Sequence, residues 1–303
     1  MNTKNYKVPA SADGYQLSVV VAEPETPAKG IMLIVHGMCE HKGRYMPFID
    51  FLSANGYIAV CYDHRGHGET APSESELGYF GKGGWRALVE DIRVMADWAK
   101  EKFPGLPLHL LGHSMGSMAV RAFTKRYDDR IDSLFVCGSP SYNPAVGVGK
   151  FLARCYGWLC GWHYRPRLLQ RMSLGSYNKV FKNEGSPNAW ICTDTEIQKK
   201  HREDKFCSFV FTANGFLSLF GLMSDCYSPK GWKVSKPMLP VCFLTGSDDP
   251  CHIDEAHHKR SVEFMRKVGY RKVESIMYPG MRHEVLLEKG KEKVFEDVLK
   301  RLP

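Results

Sequence analysis

Apolar positions along the chain fall into two kinds of run. Ile31–Val35, Tyr57–Tyr62, Leu108–Leu111, Leu134–Cys137, Val241–Thr245 and Val273–Tyr278 are short, almost wholly apolar, and closed by Gly or a polar turn. That is the pattern of strands buried on both faces of a mostly parallel sheet. The segments between several of them carry helical spacing. Tyr45–Ala54 places Phe48, Phe51 and Leu52 on one face, and Trp85–Lys100 aligns Leu88, Ile92, Met95, Ala96 and Ala99. Met115–Tyr127, Glu255–Val268 and Lys291–Leu302 follow the same rule. Strand and helix patterns in alternation predict an α/β fold, a doubly wound sheet with helices on both faces. Ahead of it, Val8–Ala10 and Gln16–Ala22 flank Asp13-Gly14, which reads as an antiparallel hairpin on the sheet edge.

The rhythm stops between Ser141 and Lys236. Nearly a hundred residues are far too many for a strand-to-helix connection, so residues 141–235 are expected to form an inserted, mainly helical lid. Residues 1–140 and 236–303 would then make the core. Within the lid, Phe151–Trp162 shows a wide apolar helix face, and Phe206–Met223 adds nine large apolar side chains (Phe, Leu and Met). Two readings stand side by side: lid core packed on the main domain, or the wall of an acyl-chain tunnel. Phe206–Met223 is long enough to span a bilayer, but its polar residues and an Asn214-Gly215 turn signal argue for buried protein instead.

Composition narrows the class. With 44% hydrophobic and 24% charged residues, the 303-residue chain is ordinary globular protein rather than a disordered one. The net charge of +8 is scattered, which argues against nucleic acid as the partner. Between Lys150 and Lys205, eleven Lys and Arg face five Asp and Glu, so most of the excess falls on the lid. A solvated face explains it, as would attraction to an anionic lipid surface. Residues 1–13 hold no apolar stretch of signal-peptide length, so a cytoplasmic protein, peripheral to membranes at most, is expected, its ten cysteines reduced. No cysteine spacing matches a zinc pattern, and Cys251–His258, though rich in ligand types, suits no standard metal site, so no metal is expected.

Gly112-His113-Ser114-Met115-Gly116 is a G-x-S-x-G placed directly between a buried strand and a helix. So tight a turn strains the central residue and lifts its hydroxyl off the sheet's carboxyl end. A serine hydroxyl becomes a nucleophile only when a base takes its proton and a carboxylate orients that base. In this architecture both follow later strands, carboxylate first. Val241–Thr245 is followed by Asp248-Asp249-Pro250, and Val273–Tyr278 by His283, the last histidine of the chain. Asp249 suits the carboxylate role better than Asp248, because Pro250 fixes the chain after it. A developing oxyanion needs two backbone N–H donors, expected from Met115, after the serine, and Met38, in the His36-Gly37-Met38 loop.

His36-Gly37, Asp63–Gly68, Gly112–Gly116, Gly246–Asp249 and His283 together resemble the α/β-hydrolase fold. His36-Gly37-Met38-Cys39-Glu40-His41-Lys42-Gly43-Arg44-Tyr45 is similar to the HG-x-x-EH-x-GRY stretch of its monoacylglycerol lipase and lysophospholipase branch, and Gly280–Glu284 to that branch's G-x-RHE. The resemblance implies a cofactor-free carboxylic ester hydrolase acting on single-chain lipids. It also implies that Glu40 and Arg44 lie near the substrate's polar head; a salt bridge pinning the oxyanion loop is the other reading of that pair. Because lids diverge, small-ester esterases and thioesterases remain alternatives, as does a non-catalytic binding protein on the same scaffold.

Overall fold

The computed structural model describes residues 2–302. Eight strands form one sheet: β1 Asn2–Pro9, β2 Gln16–Glu23, β3 Gly30–Val35, β4 Tyr57–Tyr62, β5 Leu108–His113, β6 Ser133–Cys137, β7 Val241–Gly246 and β8 Val273–Tyr278. Their order is β1-β2-β4-β3-β5-β6-β7-β8. β1 with β2 and β2 with β4 are antiparallel, and every later pairing is parallel. Strands are added on one side of β3 and then on the other, and because β3 to β8 run parallel the carboxyl ends of β3, β5, β7 and β8 open on one rim, where a doubly wound sheet presents its site.

Side-chain alternation divides the core into two layers. Ile31, Leu33, Val35, Leu110, Val136 and Phe243 face one side, which is covered by α2 (Gly84–Lys102), α3 (Met115–Tyr127) and α8 (Glu255–Lys267). Met32, Ile34, Leu111, Phe135 and Leu244 face the other, under α1 (Met46–Ala54) and α9 (Lys291–Leu299). The 141–235 insertion contributes α4 (Val146–Cys160), α5 (Arg167–Leu174), α6 (Thr195–Glu203) and α7 (Ala213–Cys226). Ala153, Leu169, Phe216 and Leu222 from these helices join the first core layer.

Four expectations are corrected. β1 extends over Asn2–Pro9 rather than beginning at Val8, because an edge strand with polar residues such as Lys4, Asn5 and Lys7 carries little hydrophobic signal. β8 is the opposite edge, not a central strand, and leaves Glu274 and Ser275 exposed. Asn214-Gly215 does not cut its segment. It lies in the first turn of α7, where Thr212 caps Gly215 N and the Asn214 amide binds Phe80 N and Gly81 O. The apolar face of Phe151–Trp162 does not point inward either. Gly149, Ala153 and Gly157 form the buried stripe of α4, while Phe151, Trp158 and Leu159 are exposed. The reason is close approach: a Cβ at Gly149 would meet the Phe220 ring at 2.8 Å, so only the small-residue face fits against α7.

Candidate active site

Ser114 stands at the junction of β5 and α3 with φ 54 and ψ −117, a conformation that side-chain-bearing residues rarely adopt. The flanking glycines are required by space. A Cβ at Gly112 would lie 2.4 Å from the Gly116 carbonyl oxygen, and one at Gly116 2.2 Å from that of Val35. Ser114 N donates to Cys137 O at 3.0 Å, which ties the elbow to the next strand. The strain is thus imposed by the strand and helix on either side.

The three residues picked out from the sequence meet at this point. His283 Nε2 lies 2.8 Å from Ser114 Oγ, and His283 Nδ1 lies 3.0 and 3.1 Å from the two Asp249 oxygens. Asp249 is buried at the start of a single 3-10 turn, Pro250–His252, where its carboxylate also accepts from Cys251 N at 2.8 Å. Asp248 is exposed and accepts from Ser247 Oγ instead. Burial works against a charged His283, but Asp249's charge and hydrogen bond win, so the imidazole pKa is raised above its ordinary 6.5. Burial likewise works against ionised Asp249, and His283 holds that carboxyl below its usual range. A hydroxyl, an imidazole and a carboxylate in this order can pass a proton from oxygen to nitrogen while stabilising the imidazolium.

Met38 and Met115 line the cavity in front of Ser114, and neither backbone N–H has an acceptor among the described residues. The Met38 loop runs close to the serine: a Cβ at Gly37 would lie 3.0 Å from Ser114 Cβ. Glu40 and Arg44 pin this loop. The Glu40 carboxylate accepts from Gly37 N and from Tyr45 OH, and Arg44 donates to it at 2.9 Å. Arg44 also forms a two-pronged pair with Glu284, both bonds 2.7 Å. One buried cation therefore joins the Met38 loop to the residue next to His283. Burial alone would raise both carboxyls. Arg44's bidentate grip holds Glu284 well below the usual range, while Glu40, under Glu284's charge as well, stays raised.

Further contacts went unread in the sequence. Trp190 sits 5.1 Å from the His283 ring, and Glu284 N donates to Ile191 O at 2.7 Å. Glu288 accepts from Thr193 N and Arg282 N, and Arg282 pairs with Glu184. The loop carrying His283 is thus laced to the insertion on both sides of the histidine. The G-x-RHE string marks Arg282 and Glu284 but not their partners. Asp63, which begins the Asp63–Gly68 string, binds Lys42 N and Lys42 Nζ at 2.7 Å each and so braces the strand end. The ligand-type side chains of Cys251–His258 disperse: His252 turns to Gly246 O, His257 to Asp254, and His258 to Ser275. Cys251 lies against the histidine, its sulfur 3.9 Å from His283 Nε2, and His252, Asp254 and Glu255 line the same cavity farther along the run.

A cavity of about 1160 Å³ opens over Ser114. Leu169, Phe209, Leu219, Phe220 and Met223 supply much of its apolar wall. Among the described residues, no helix is long and apolar enough to cross a membrane.

A strained serine turn between strand and helix, a hydrogen-bonded serine, aspartate and histidine in that chain order, and this sheet topology define an α/β-hydrolase. The family model described as "Serine aminopeptidase, S33" (Hydrolase_4) matches residues 26–290, and the chain belongs to that family as a carboxylic ester hydrolase. It is 25% identical to the monoacylglycerol lipase of Mycolicibacterium smegmatis over 289 residues, 95% of this chain and 93% of that one. It is 32% identical to human monoglyceride lipase over 106 residues, 35% of this chain and 33% of that protein. The thermostable carboxyl esterase of Bacillus coagulans, solved with glycerol, shares the fold with a TM-score of 0.90 at 22% identity, covering 99% of this chain and 97% of that one.

Proposed function

We propose that the protein hydrolyses esters of single-chain lipids, monoacylglycerols or lysophospholipids, through an acyl-enzyme on Ser114. His283 Nε2 takes the Ser114 proton as the oxygen attacks the acyl carbonyl. Asp249 holds Nδ1–H and offsets the imidazolium charge. The N–H groups of Met38 and Met115 receive the oxyanion. His283 then protonates the leaving alcohol, and a water deprotonated by the same nitrogen releases the acid. Glu40 and Arg44 serve this chemistry as the brace of the Met38 loop, because their polar atoms are committed to Gly37 N, Tyr45 OH and Glu284.

The observation that carries the lipid reading is the size and apolar wall of the cavity. At about 1160 Å³ it exceeds the roughly 300–1,000 Å³ of ordinary small-molecule pockets. Each CH₂ buried there contributes about 0.8 kcal/mol, or about fourfold in affinity. The names of the relatives that share the chain's length or its motifs support the same substrate class.

A fluorophosphonate probe is expected to label the wild type and not Ser114→Ala. In p-nitrophenyl esters, kcat/KM is expected to climb from acetate to octanoate, with monoacylglycerol cleaved as well. Rapid turnover of acetate alone, with no activity on monoacylglycerol, would move the protein to the small-ester esterases. An aminoacyl naphthylamide cleaved faster than every ester would favour the aminopeptidase sense of the family description instead. Probe labelling that survives Ser114→Ala removes the nucleophile assignment.

A further inference from the structure

Away from Ser114, a second cavity of about 430 Å³ opens where the start of α2 meets α4 and α7. Four cationic side chains border it: Lys82 just ahead of α2, Arg86 in its first turn, and Lys150 and Arg154 one turn apart on α4. None of the four forms an ion pair among the described residues. The single acidic side chain on the wall, Asp225, is already held by Arg126 at 2.7 and 2.9 Å, with Lys125 at 3.4 Å. The cationic charge therefore has no internal counter-charge.

The floor is built to match. Ser218 of α7 is 4% exposed, lines the cavity, and its hydroxyl has no hydrogen-bond partner among the described residues. Its polar neighbours are satisfied: Asn214 binds Phe80 N and Gly81 O, and Ser224 donates to Phe220 O. The hydroxyl is thus free to donate into the cavity. One glycine leaves Ser218 Oγ uncovered and another lets Trp85 pack against α7. A Cβ at Gly84 (φ +54) would lie 2.8 Å from Ser218 Oγ, and one at Gly221 would lie 2.4 Å from the Trp85 ring. Gly83 caps the 19-residue α2 with no side-chain oxygen of its own, and its N–H donates to the Asp13 carboxylate at 3.2 Å, outside the cavity wall. Arg86 lies over the Trp85 ring at 4.7 Å, which keeps its guanidinium beside the opening.

We propose that this cavity binds a phosphate-bearing anion, with Lys82, Arg86, Lys150 and Arg154 supplying the charge and Ser218 Oγ a hydroxyl donor on the floor. Two sources share that chemistry: a soluble phosphate ester, or the headgroup phosphate of a bilayer lipid. The site goes beyond the hydrolytic one and does not use it. The two communicate through a shared wall: Gly149, Phe220 and Met223 line the Ser114 cavity, and Lys150, Arg154 and Gly221 line this one. A bound phosphate would clamp α4, which carries part of the lipid cavity, against α2 of the core.

The test uses the full chain at constant ionic strength. Inorganic phosphate and glycerol 3-phosphate are titrated by calorimetry, and phosphatidylglycerol vesicles are compared with phosphatidylcholine vesicles by flotation. Binding is expected in at least one arm. It should weaken by about tenfold or more in Lys150→Glu/Arg154→Glu and by about threefold in Ser218→Ala. Hydrolysis of p-nitrophenyl butyrate reports that each variant is folded. Lys199→Glu/Lys200→Glu on α6, the same charge change elsewhere, should bind as the wild type does. Soluble anions bound with this pattern identify a phosphate ester as the source; vesicle binding alone with the same pattern identifies the headgroup. No binding in either arm, or equal loss in the α6 variant, overturns the site.

Discussion

Replacing Arg44 by Met tests the brace that joins the two halves of the candidate site. The Arg44 side chain is 10% exposed, and those of Glu40 and Glu284 are 3% and 6%. Removal deletes three charge-assisted hydrogen bonds of 2.7–2.9 Å and leaves two buried carboxylates facing each other without a cation. A unit-charge pair at such range is worth about 4 kcal/mol at an effective dielectric of 20, and stranding one partner of a buried pair costs about 3–5 kcal/mol. The expected loss in urea unfolding at pH 7 is therefore about 3–5 kcal/mol. Its pH dependence is diagnostic. In the wild type, Glu284's folded pKa is depressed, so its contribution is present above the unfolded value of 4.5 and fades as pH falls through the folded one. Without Arg44, burial raises both carboxyls, so the variant gains relative stability as protonation removes the stranded charges. The gap should narrow from pH 7 toward pH 4.5. Glu284→Gln added to Arg44→Met should recover part of it at pH 7. With Gly37 less firmly held, kcat on p-nitrophenyl butyrate should fall about ten- to a hundredfold. A variant within about 1 kcal/mol of wild type at pH 7, with no narrowing at low pH, would refute the brace.

Asp249→Asn keeps the acceptor for Cys251 N but turns an NH₂ toward His283, favouring the tautomer with its proton on Nε2, facing Ser114. kcat should drop about 10⁴-fold, while Asp248→Asn, altering an exposed carboxylate, stays within about twofold. Because the base must be neutral and His283 is raised above 6.5, kcat/KM should rise with pH along an acid limb whose midpoint lies above 6.5; a midpoint below that value contradicts the Asp249 coupling. Gly116→Ala puts a methyl 2.2 Å from Val35 O, so thermal unfolding should show a loss of about 1–3 kcal/mol and probe labelling of Ser114 should slow. An unchanged melting curve and labelling rate would mean that the elbow has slack.

What the sequence shows well is what period and punctuation encode. The strands from β3 to β7 are buried on both faces, so their runs are unbroken, and α3 begins and ends where its spacing predicts because Ser114 and the flanking glycines are backbone necessities. Ser114, Asp249 and His283 follow from the same logic, each placed just beyond a strand's carboxyl end. Orientation is less legible. In α4 the large residues define the apolar face, yet the packing surface is Gly149, Ala153 and Gly157, because α7 can come close only where side chains are missing. Hydrophobicity ranks side chains by their own transfer cost, whereas a helix contact is decided by what the partner leaves room for. The Glu40–Arg44 pair is legible in the sequence, but the same limit hides its link to Glu284. Glu284 is 240 residues from Arg44, and nothing local shows that one guanidinium serves both carboxylates. The strands position the serine, histidine and aspartate. The loops that hold their geometry are then joined by charges, buried in pairs because a lone charge could not remain there.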